Sequence, residues 1–271
     1  MKKNILMTGS TGFVGKKLLD KIGGKYQINT FSGKTRVDLK DKEDVFDITK
    51  NKDIVIHLAY SKNYPENIII TKNLIEACKK NKIKKILILS SMSAKREKPD
   101  KYGKNKLYIE KLIKESKLNY TILRPSIIYG SGSSSFNFII DYMNKIPFFT
   151  PIIGNGKYFI YPIHVNDVIQ SIISCIDSEK TNKKEYDIVG RDRIYFIELI
   201  NMLKKQLKSN KINIYIPIFV CKIISYIFPK IINKENIENL SEDSKPELLE
   251  AKKDFNFNPI KFKEGIKNGL I

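Results

Sequence analysis

The first half of the chain alternates short apolar runs with longer stretches in which apolar residues recur every three or four positions. The short runs predict β-strands at residues 3–8, 27–31, 53–59, 85–90 and 120–124. The periodic stretches predict amphipathic helices at 13–22, 67–81 and 102–117. Buried strands that alternate with amphipathic helices form a parallel sheet covered on both faces, so the pattern predicts a doubly wound α/β fold.

The strand–helix alternation weakens after about residue 130, where Pro147, Pro151, Gly154 and Gly156 interrupt the chain. No repeat or low-complexity linker separates two independent halves, so we predict one domain over residues 1–271. Its core is expected at roughly 1–150, and a smaller C-terminal lobe that binds substrate is expected mainly from 131–162 and 190–271.

One C-terminal segment, residues 214–232, is very apolar but is interrupted by Pro217, Lys222 and Pro229. A helix that spans a bilayer needs about 20 mostly uninterrupted apolar residues. We therefore expect a buried or lid helix here and no stable membrane insertion. Contact with a membrane interface stays open as the alternative.

The composition is strongly basic, with 49 Lys+Arg against 29 Asp+Glu and a formal charge of +20. The lysines are scattered and form no block, whereas a nucleic-acid surface would cluster them, so no nucleic-acid partner is expected. Cys78, Cys175 and Cys221 lie far apart, which argues against a disulfide scaffold and against a metal site. The N-terminus runs straight into a glycine-rich loop without a signal-peptide core, so we expect a cytoplasmic protein.

A glycine-rich turn follows the first predicted strand and opens the first predicted helix, with the sequence Thr8-Gly9-Ser10-Thr11-Gly12-Phe13-Val14-Gly15. The first glycine permits a tight turn, the second lets backbone N–H groups approach a pyrophosphate, and the third allows close helix–strand packing. The partial positive charge of the helix N-terminus favours phosphate there. This context predicts a dinucleotide-binding site.

The TGxxGxxG spacing resembles the extended branch of the short-chain dehydrogenase/reductase superfamily, whose members modify nucleotide-linked sugars. The resemblance implies a Rossmann-type doubly wound sheet and an NAD or NADP cofactor. It assigns Asp38 to the adenine. The cofactor contacts that it implies are Gly9, Ser10, Thr11, Gly12, Phe13, Val14, Gly15, Asp38, Leu39, Leu58, Ala59, Tyr60, Tyr102, Lys106 and Pro125.

The residues after the second strand bear on the choice between NAD and NADP. An acid there would bind the ribose 2′-hydroxyl of NAD, whereas a basic residue would meet the 2′-phosphate of NADP. The chain has Ser32, Lys34 and Arg36 and no acid before Asp38, which favours NADP.

A Tyr-x-x-x-Lys pair, Tyr102 and Lys106, lies in the predicted helix 102–117. Residues four apart share a helix face, so the phenol and the ammonium meet. A neighbouring cation favours the phenolate and is expected to lower the pKa of Tyr102, which suits it to pass a proton to or from a carbonyl or alcohol oxygen. Ile109 and Ile113 continue that face toward the core.

The resemblance assigns the hydroxyl that orients the reacting oxygen to Ser91, with Ser93 as the alternative. The expected catalytic residues are thus Ser91, Tyr102 and Lys106. Sugar 4,6-dehydratases of this family carry an Asp-Glu pair directly after that serine. Met92 and Ser93 stand at those positions, which disfavours dehydration.

Further stretches, Leu123–Gly130 and Gly154–Val168, also resemble the family. The implied substrate contacts are Ser61, Met92, Ser93, Tyr129, Asn137 and Lys157. The chain departs from many epimerases, because Ile127 stands for an asparagine and Ile160 or Tyr161 for an arginine that contact the substrate's diphosphate. Asn137, Lys157 or Lys222 could take over that contact.

The expected function is that of an NAD(P)-dependent oxidoreductase of nucleotide-sugar metabolism, as in polysaccharide biosynthesis, with hydride transfer at sugar carbon 4. A 4-keto reductase is favoured over a 4-epimerase because the basic turn suits NADPH, which is consumed in net reduction. The alternative is a non-catalytic dinucleotide-binding regulator or RNA-binding relative.

The resemblance implies a homodimer through helices 67–81 and 102–117, with Ile69, Leu74, Leu107 and Leu112 in the interface. His57, His164 and Asp167 are expected to be structural.

Overall fold

The computed structural model describes residues 2–31, 37–144, 146–227 and 245–267. Its central sheet has six strands: β1 (Asn4–Thr8), β2 (Gln27–Phe31), β3 (Ile54–His57), β4 (Lys85–Leu89), β5 (Tyr120–Pro125) and β10 (Lys184–Ile188). Their order is β10-β5-β4-β3-β1-β2, and each neighbouring pair is parallel. Because the order reverses between β1 and β3, a crevice opens at the carboxyl ends of these two strands.

Helices cover both faces of the sheet, which confirms the predicted doubly wound fold. One face carries α1 (Phe13–Ile22) and α6 (Val165–Asp177), and the other carries α2 (Lys42–Thr49), α3 (Tyr64–Lys80) and α4 (Lys101–Glu115). Successive side chains of β1 point to opposite faces of the sheet, since Ile5 and Met7 pack in one core and Leu6 in the other.

Leu74 is fully buried in the core beneath α3, so its predicted place in a dimer interface is wrong. Ile69 and Leu107 are exposed on α3 and α4, and Leu112 is half-buried. Sequence spacing alone did not separate the two sets because α3 also packs on α2 and α4 and buries more than one stripe.

A smaller lobe follows β5 and has its own apolar core. It contains α5 (Ser134–Asn144), α7 (Phe196–Gln206) and three two-stranded sheets. These sheets pair β6 (Ile128–Tyr129) with β9 (Ile163–His164), β8 (Phe159–Ile160) with β11 (Ile194–Tyr195), and β7 (Phe149–Ile153) with β12 (Ile212–Ile216). Phe136, Ile152, Leu199 and Phe262 pack in the lobe core, where Phe262 begins the C-terminal helix α10 (Phe262–Lys267). Ala251, in α9 (Leu249–Phe255), packs instead against the central sheet.

The apolar segment that begins at residue 214 is not a buried helix over its described part. It forms the end of β12 and then α8 (Ile218–Ile227), and most of its described apolar side chains are exposed. Pro217 separates the two elements. The rest of the segment, 228–232, lies outside the described residues.

Over the described ranges, no helix has both the length and the apolar character that crossing a membrane would require.

Candidate active site

The glycine-rich turn forms a close backbone cradle between β1 and α1. Gly9 has a φ of +73°, and a Cβ there would lie 2.4 Å from the Ala59 backbone nitrogen. A Cβ at Gly15 would lie 2.3 Å from the Gly9 carbonyl oxygen. Neither contact is possible, so both positions require glycine. Within the described residues no side chain caps the N-terminus of α1, whose first N–H groups and partial positive charge can therefore serve a phosphate.

Several predicted cofactor residues meet beside this cradle. Gly9, Gly12, Phe13, Val14, Gly15, Leu58, Tyr60 and Pro125 line one large cavity. In the turn, Ser10 is buried and Thr11 is exposed. Asp38 and Leu39 lie outside that cavity, and the Asp38 carboxylate accepts a hydrogen bond from the Lys40 backbone at 2.9 Å. Ser32, Lys34 and Arg36 fall outside the described residues.

The three predicted catalytic residues line the same cavity. Lys106 is buried, and its ammonium donates to the Leu89 carbonyl oxygen at 2.9 Å. That ammonium also lies 4.0 Å from the ring centroid of Tyr60 and 5.8 Å from that of Tyr102. Ser91 hydrogen-bonds the Tyr102 side chain, and its hydroxyl accepts from the Ser93 backbone at 3.2 Å.

Burial shifts the pKa values of both Tyr102 and Lys106. It raises the pKa of Tyr102 above the ordinary value, while the hydrogen bond with Ser91 acts against that shift. The expected lowering of the Tyr102 pKa by Lys106 is therefore wrong for this structure, because burial raises that pKa and Lys106 is not among the groups that shift it. Burial also lowers the pKa of Lys106 to about 7, and the Glu110 carboxylate acts against that shift.

Helix α4 is fixed at both ends of its catalytic stretch. At its start, the Asp100 carboxylate accepts a 2.6 Å hydrogen bond from the Gly103 backbone and caps the helix. Further along, Glu110 is fully buried and binds Arg124. Sequence reasoning missed both residues. Glu110 could have been found, since it follows Lys106 by four positions on the same helix face.

The cavity has a volume of about 950 Å³ and extends from the glycine cradle into the lobe. Its far wall is largely aromatic, with Phe138, Tyr142, Tyr158, Phe159, Tyr161 and Phe196. Among the described residues, Arg96 and Lys106 are the cations that line it. The Nε of Arg96 is buried and has no hydrogen-bond partner. Sequence reasoning missed Arg96, which no motif contains.

Four predicted substrate residues do not reach the cavity. Tyr129 is fully buried in the lobe core against Phe136 and Phe262, so its predicted substrate contact is wrong. Asn137 and Lys157 are exposed and lie outside the cavity lining, so their substrate contacts stay predictions. Ser61 lies outside the lining too, and its hydroxyl donates to Glu66 at 2.7 Å. Met92 and Ser93 do line the cavity.

Both histidines have structural contacts, as expected. His57 Nδ1 lies 2.7 Å from the Thr8 hydroxyl, and burial lowers the pKa of His57 to about 3. His164 caps α6 by accepting from the Asn166 backbone at 3.3 Å. Asp167 accepts from the Ile260 backbone at 3.2 Å and ties the C-terminal segment to α6.

Similarity to known proteins extends over the chain. A family model described as NAD(P)H-binding matches residues 34–142. The chain is 24% identical over 197 residues to subunit 9 of the NADH dehydrogenase [ubiquinone] 1 alpha subcomplex from Dictyostelium discoideum, covering 71% of this chain and 53% of that protein. It is 24% identical over 315 aligned positions to UDP-glucose 4-epimerase of Vibrio cholerae, covering 98% and 94%. The structure of UDP-glucose 4-epimerase from Thermotoga maritima with UDP-glucose has a TM-score of 0.77 and 21% identity, covering 98% of this chain and 97% of that one.

The parallel sheet, the glycine cradle at its crevice and the Tyr–Lys pair beside that cradle define an NAD(P)H-binding enzyme with a Rossmann-type fold. Within this class, the chain is similar to UDP-glucose 4-epimerases in sequence and in fold.

Proposed function

We propose that this protein is an NADP(H)- or NAD(H)-dependent oxidoreductase that transfers hydride at carbon 4 of a nucleotide-linked sugar, and that it acts as a 4-keto reductase. The observation that carries the proposal is a single cavity lined both by the glycine cradle and by Ser91, Tyr102 and Lys106. The similarity to UDP-glucose 4-epimerases supports the substrate class.

The residues fit a dinucleotide. Gly12 would admit the pyrophosphate at the N-terminus of α1, and Lys106 would reach the nicotinamide ribose. Lys34 and Arg36, which follow β2 in the sequence, favour the 2′-phosphate of NADP. When bound, the reduced cofactor supplies the hydride.

The side chains around the reacting oxygen suit reduction of a carbonyl. Because burial raises the pKa of Tyr102, the phenol keeps its proton at neutral pH and can donate it to a carbonyl oxygen. Ser91, which hydrogen-bonds Tyr102, would hold that oxygen in place. Dehydration needs a further acid after Ser91, where Met92 and Ser93 stand. The carboxylate of Asp100 lines the cavity, but it caps α4.

The substrate's anionic group would bind Arg96. Neither Asn137 nor Lys157 lines the cavity, and Lys106 is engaged with Leu89 and Tyr60. A guanidinium binds phosphate or carboxylate through two parallel hydrogen bonds, which suits the buried, unpartnered Nε of Arg96.

The purified protein tests the proposal directly. A nucleotide-linked 4-keto-sugar with NADPH should give cofactor oxidation that matches the sugar reduced, whereas UDP-glucose alone should not be epimerised. Conversion of UDP-glucose to its 4-epimer without net cofactor change would favour the epimerase. Cofactor binding without turnover of either sugar would favour the non-catalytic alternative.

A further inference from the structure

Helix α8 has the reverse of the usual amphipathic arrangement. Its exposed side chains include Phe219, Ile223 and Tyr226, which are 66%, 55% and 88% exposed, whereas Cys221 and Ser225 are buried. The spacing of the three apolar residues places them on one helix face. A helix at the surface of a soluble protein normally buries its apolar face, so this face is suited to a partner.

The neighbouring strand extends the apolar character of this region. Ile212 and Ile214 lie on one face of β12, and both are exposed. Phe148, directly before β7, is exposed next to Phe149, which pairs with Ile212. We call Phe148, Ile212, Ile214, Phe219, Ile223 and Tyr226 the lobe apolar surface.

The charge of this region is of one sign. Residues 199–227 contain five lysines and no aspartate or glutamate. Lys222 is exposed on α8, between Phe219 and Ile223. The whole chain carries a formal charge of +20. The partner therefore combines apolar and anionic character.

Two physical arguments narrow the choice between a second copy of the chain and a bilayer. In a symmetric dimer the same surface meets itself, which would bring lysines together without acids to pair with them. A bilayer interface offers acyl chains to Phe and Ile, a polar boundary to the Tyr hydroxyl, and anionic headgroups to Lys. A helix of 10 residues is about 15 Å long, so it could lie in that interface but could not span the roughly 30 Å hydrocarbon core.

We propose that the lobe apolar surface docks on the headgroup region of a bilayer that contains anionic phospholipids. The surface adjoins the substrate side of the cavity, because Ile218 of α8 lies against Gly154, where an added Cβ would be 3.2 Å from its Cγ1. Gly154 directly follows Ile153, which lines the cavity. Docking through α8 thus places the lobe side of the cavity near the membrane surface.

The chain has no tryptophan, so one introduced tryptophan reports its own surroundings. We would make Tyr226→Trp and titrate it with phosphatidylcholine vesicles, with and without phosphatidylglycerol. The expected result is a blue shift of the emission, with quenching by brominated acyl chains, on the anionic vesicles, and a weaker response at high salt. Phe219→Ser added to Tyr226→Trp should weaken this binding by about tenfold, as expected for one exposed aromatic residue.

Leu249→Trp is the matched control, since Leu249 is 82% exposed on a different element and should show no shift. An unshifted spectrum of Tyr226→Trp with either vesicle overturns the proposal. So does a blue shift that depends on protein concentration without vesicles, which would indicate a second copy. Equal shifts for both tryptophans would indicate non-specific adsorption of a basic protein and would also overturn it.

Discussion

Glu110 of helix α4 and Arg124 of strand β5 form a buried, bidentate ion pair. Arg124 Nε lies 2.9 Å from Glu110 Oε1, and Nη2 lies 2.6 Å from Oε2. The Ser90 hydroxyl donates to the same Oε1 at 2.5 Å. The pair therefore joins α4, which carries Tyr102 and Lys106, to the carboxyl ends of β4 and β5. Glu110 does not itself line the cavity and contacts the lining residue Ser90, so we regard it as a positioning residue.

We predict that Glu110→Gln destabilises the fold by about 3 kcal/mol, because it removes one charge of a buried pair. Arg124 would keep Glu185 and Asp187 as partners, which limits the loss. Urea unfolding measures the change. Turnover should fall while KM changes little, since the helix loses its fixed position.

The matched control is Glu115→Gln, on the same helix but exposed, with Lys111 at 3.8 Å. Its effect should stay within about 0.5 kcal/mol. Equal losses in the two variants would show that the buried pair has no special role.

Tyr102→Phe should lower turnover by about 10²–10⁴-fold, because the phenol can no longer transfer a proton. Cofactor binding should change little, as the ring remains to pack on Tyr60. The control is Tyr108→Phe, which changes an exposed phenol on the same helix. Steady-state turnover and cofactor titration check both. A Tyr102→Phe enzyme with near-normal turnover would contradict the proposed role.

The sequence was sufficient to predict the structure where the local spacing of residues agrees with their burial. Helix α1 and strand β2 have their predicted bounds, and Tyr102 and Lys106 lie together because a helix face is fixed by spacing alone. The side of an element that faces the core was harder to predict. Apolar composition suggested a buried or lid helix for residues 214–232, yet an apolar residue does not itself reveal which side of its element meets the core.

The wrong prediction for Tyr129 came from transferring a position within a lobe whose packing depends on distant parts of the chain. Tyr129 is buried because Phe262, far away in sequence, packs on its ring at 4.9 Å. The exposed position of Asn137 could have been predicted from the sequence. Phe136, Ile139 and Met143 form a helical stripe, and that stripe turns Asn137 outward.

Arg96→Gln should raise KM for the nucleotide sugar by about 10–100-fold with a smaller effect on kcat, because a charge-assisted hydrogen bond to the substrate is lost. Arg96→Lys should restore part of the affinity, since it keeps the charge but not the fork. Lys98→Gln removes an exposed cation outside the cavity and serves as the control. If Lys98→Gln raises KM equally, general charge attraction explains the effect and Arg96 has no specific contact.

Replacing Lys34 and Arg36 together by alanine should weaken NADPH binding more than NADH binding. The reason is that each charge-assisted hydrogen bond to a 2′-phosphate contributes about 1.5–3 kcal/mol when well formed. Calorimetric titration of both cofactors measures the difference. Tighter binding of NADH by the wild-type protein, or equal losses for both cofactors, would contradict the preference for NADP.

The exposed apolar side chains of α3 and α4 support a homodimer built on these two helices. Ile69 and Leu107 are 46% and 44% exposed, and burying them against a second copy would remove that surface from water. The wild-type protein should therefore have twice the chain mass of 31.3 kDa in light scattering. Ile69→Glu combined with Leu107→Glu should give the single-chain mass and lower turnover, because the dimer would also hold the helix that carries Tyr102. Leu249→Glu, on an exposed position elsewhere, should leave both properties unchanged. A fully active wild-type protein at the single-chain mass would refute the dimer.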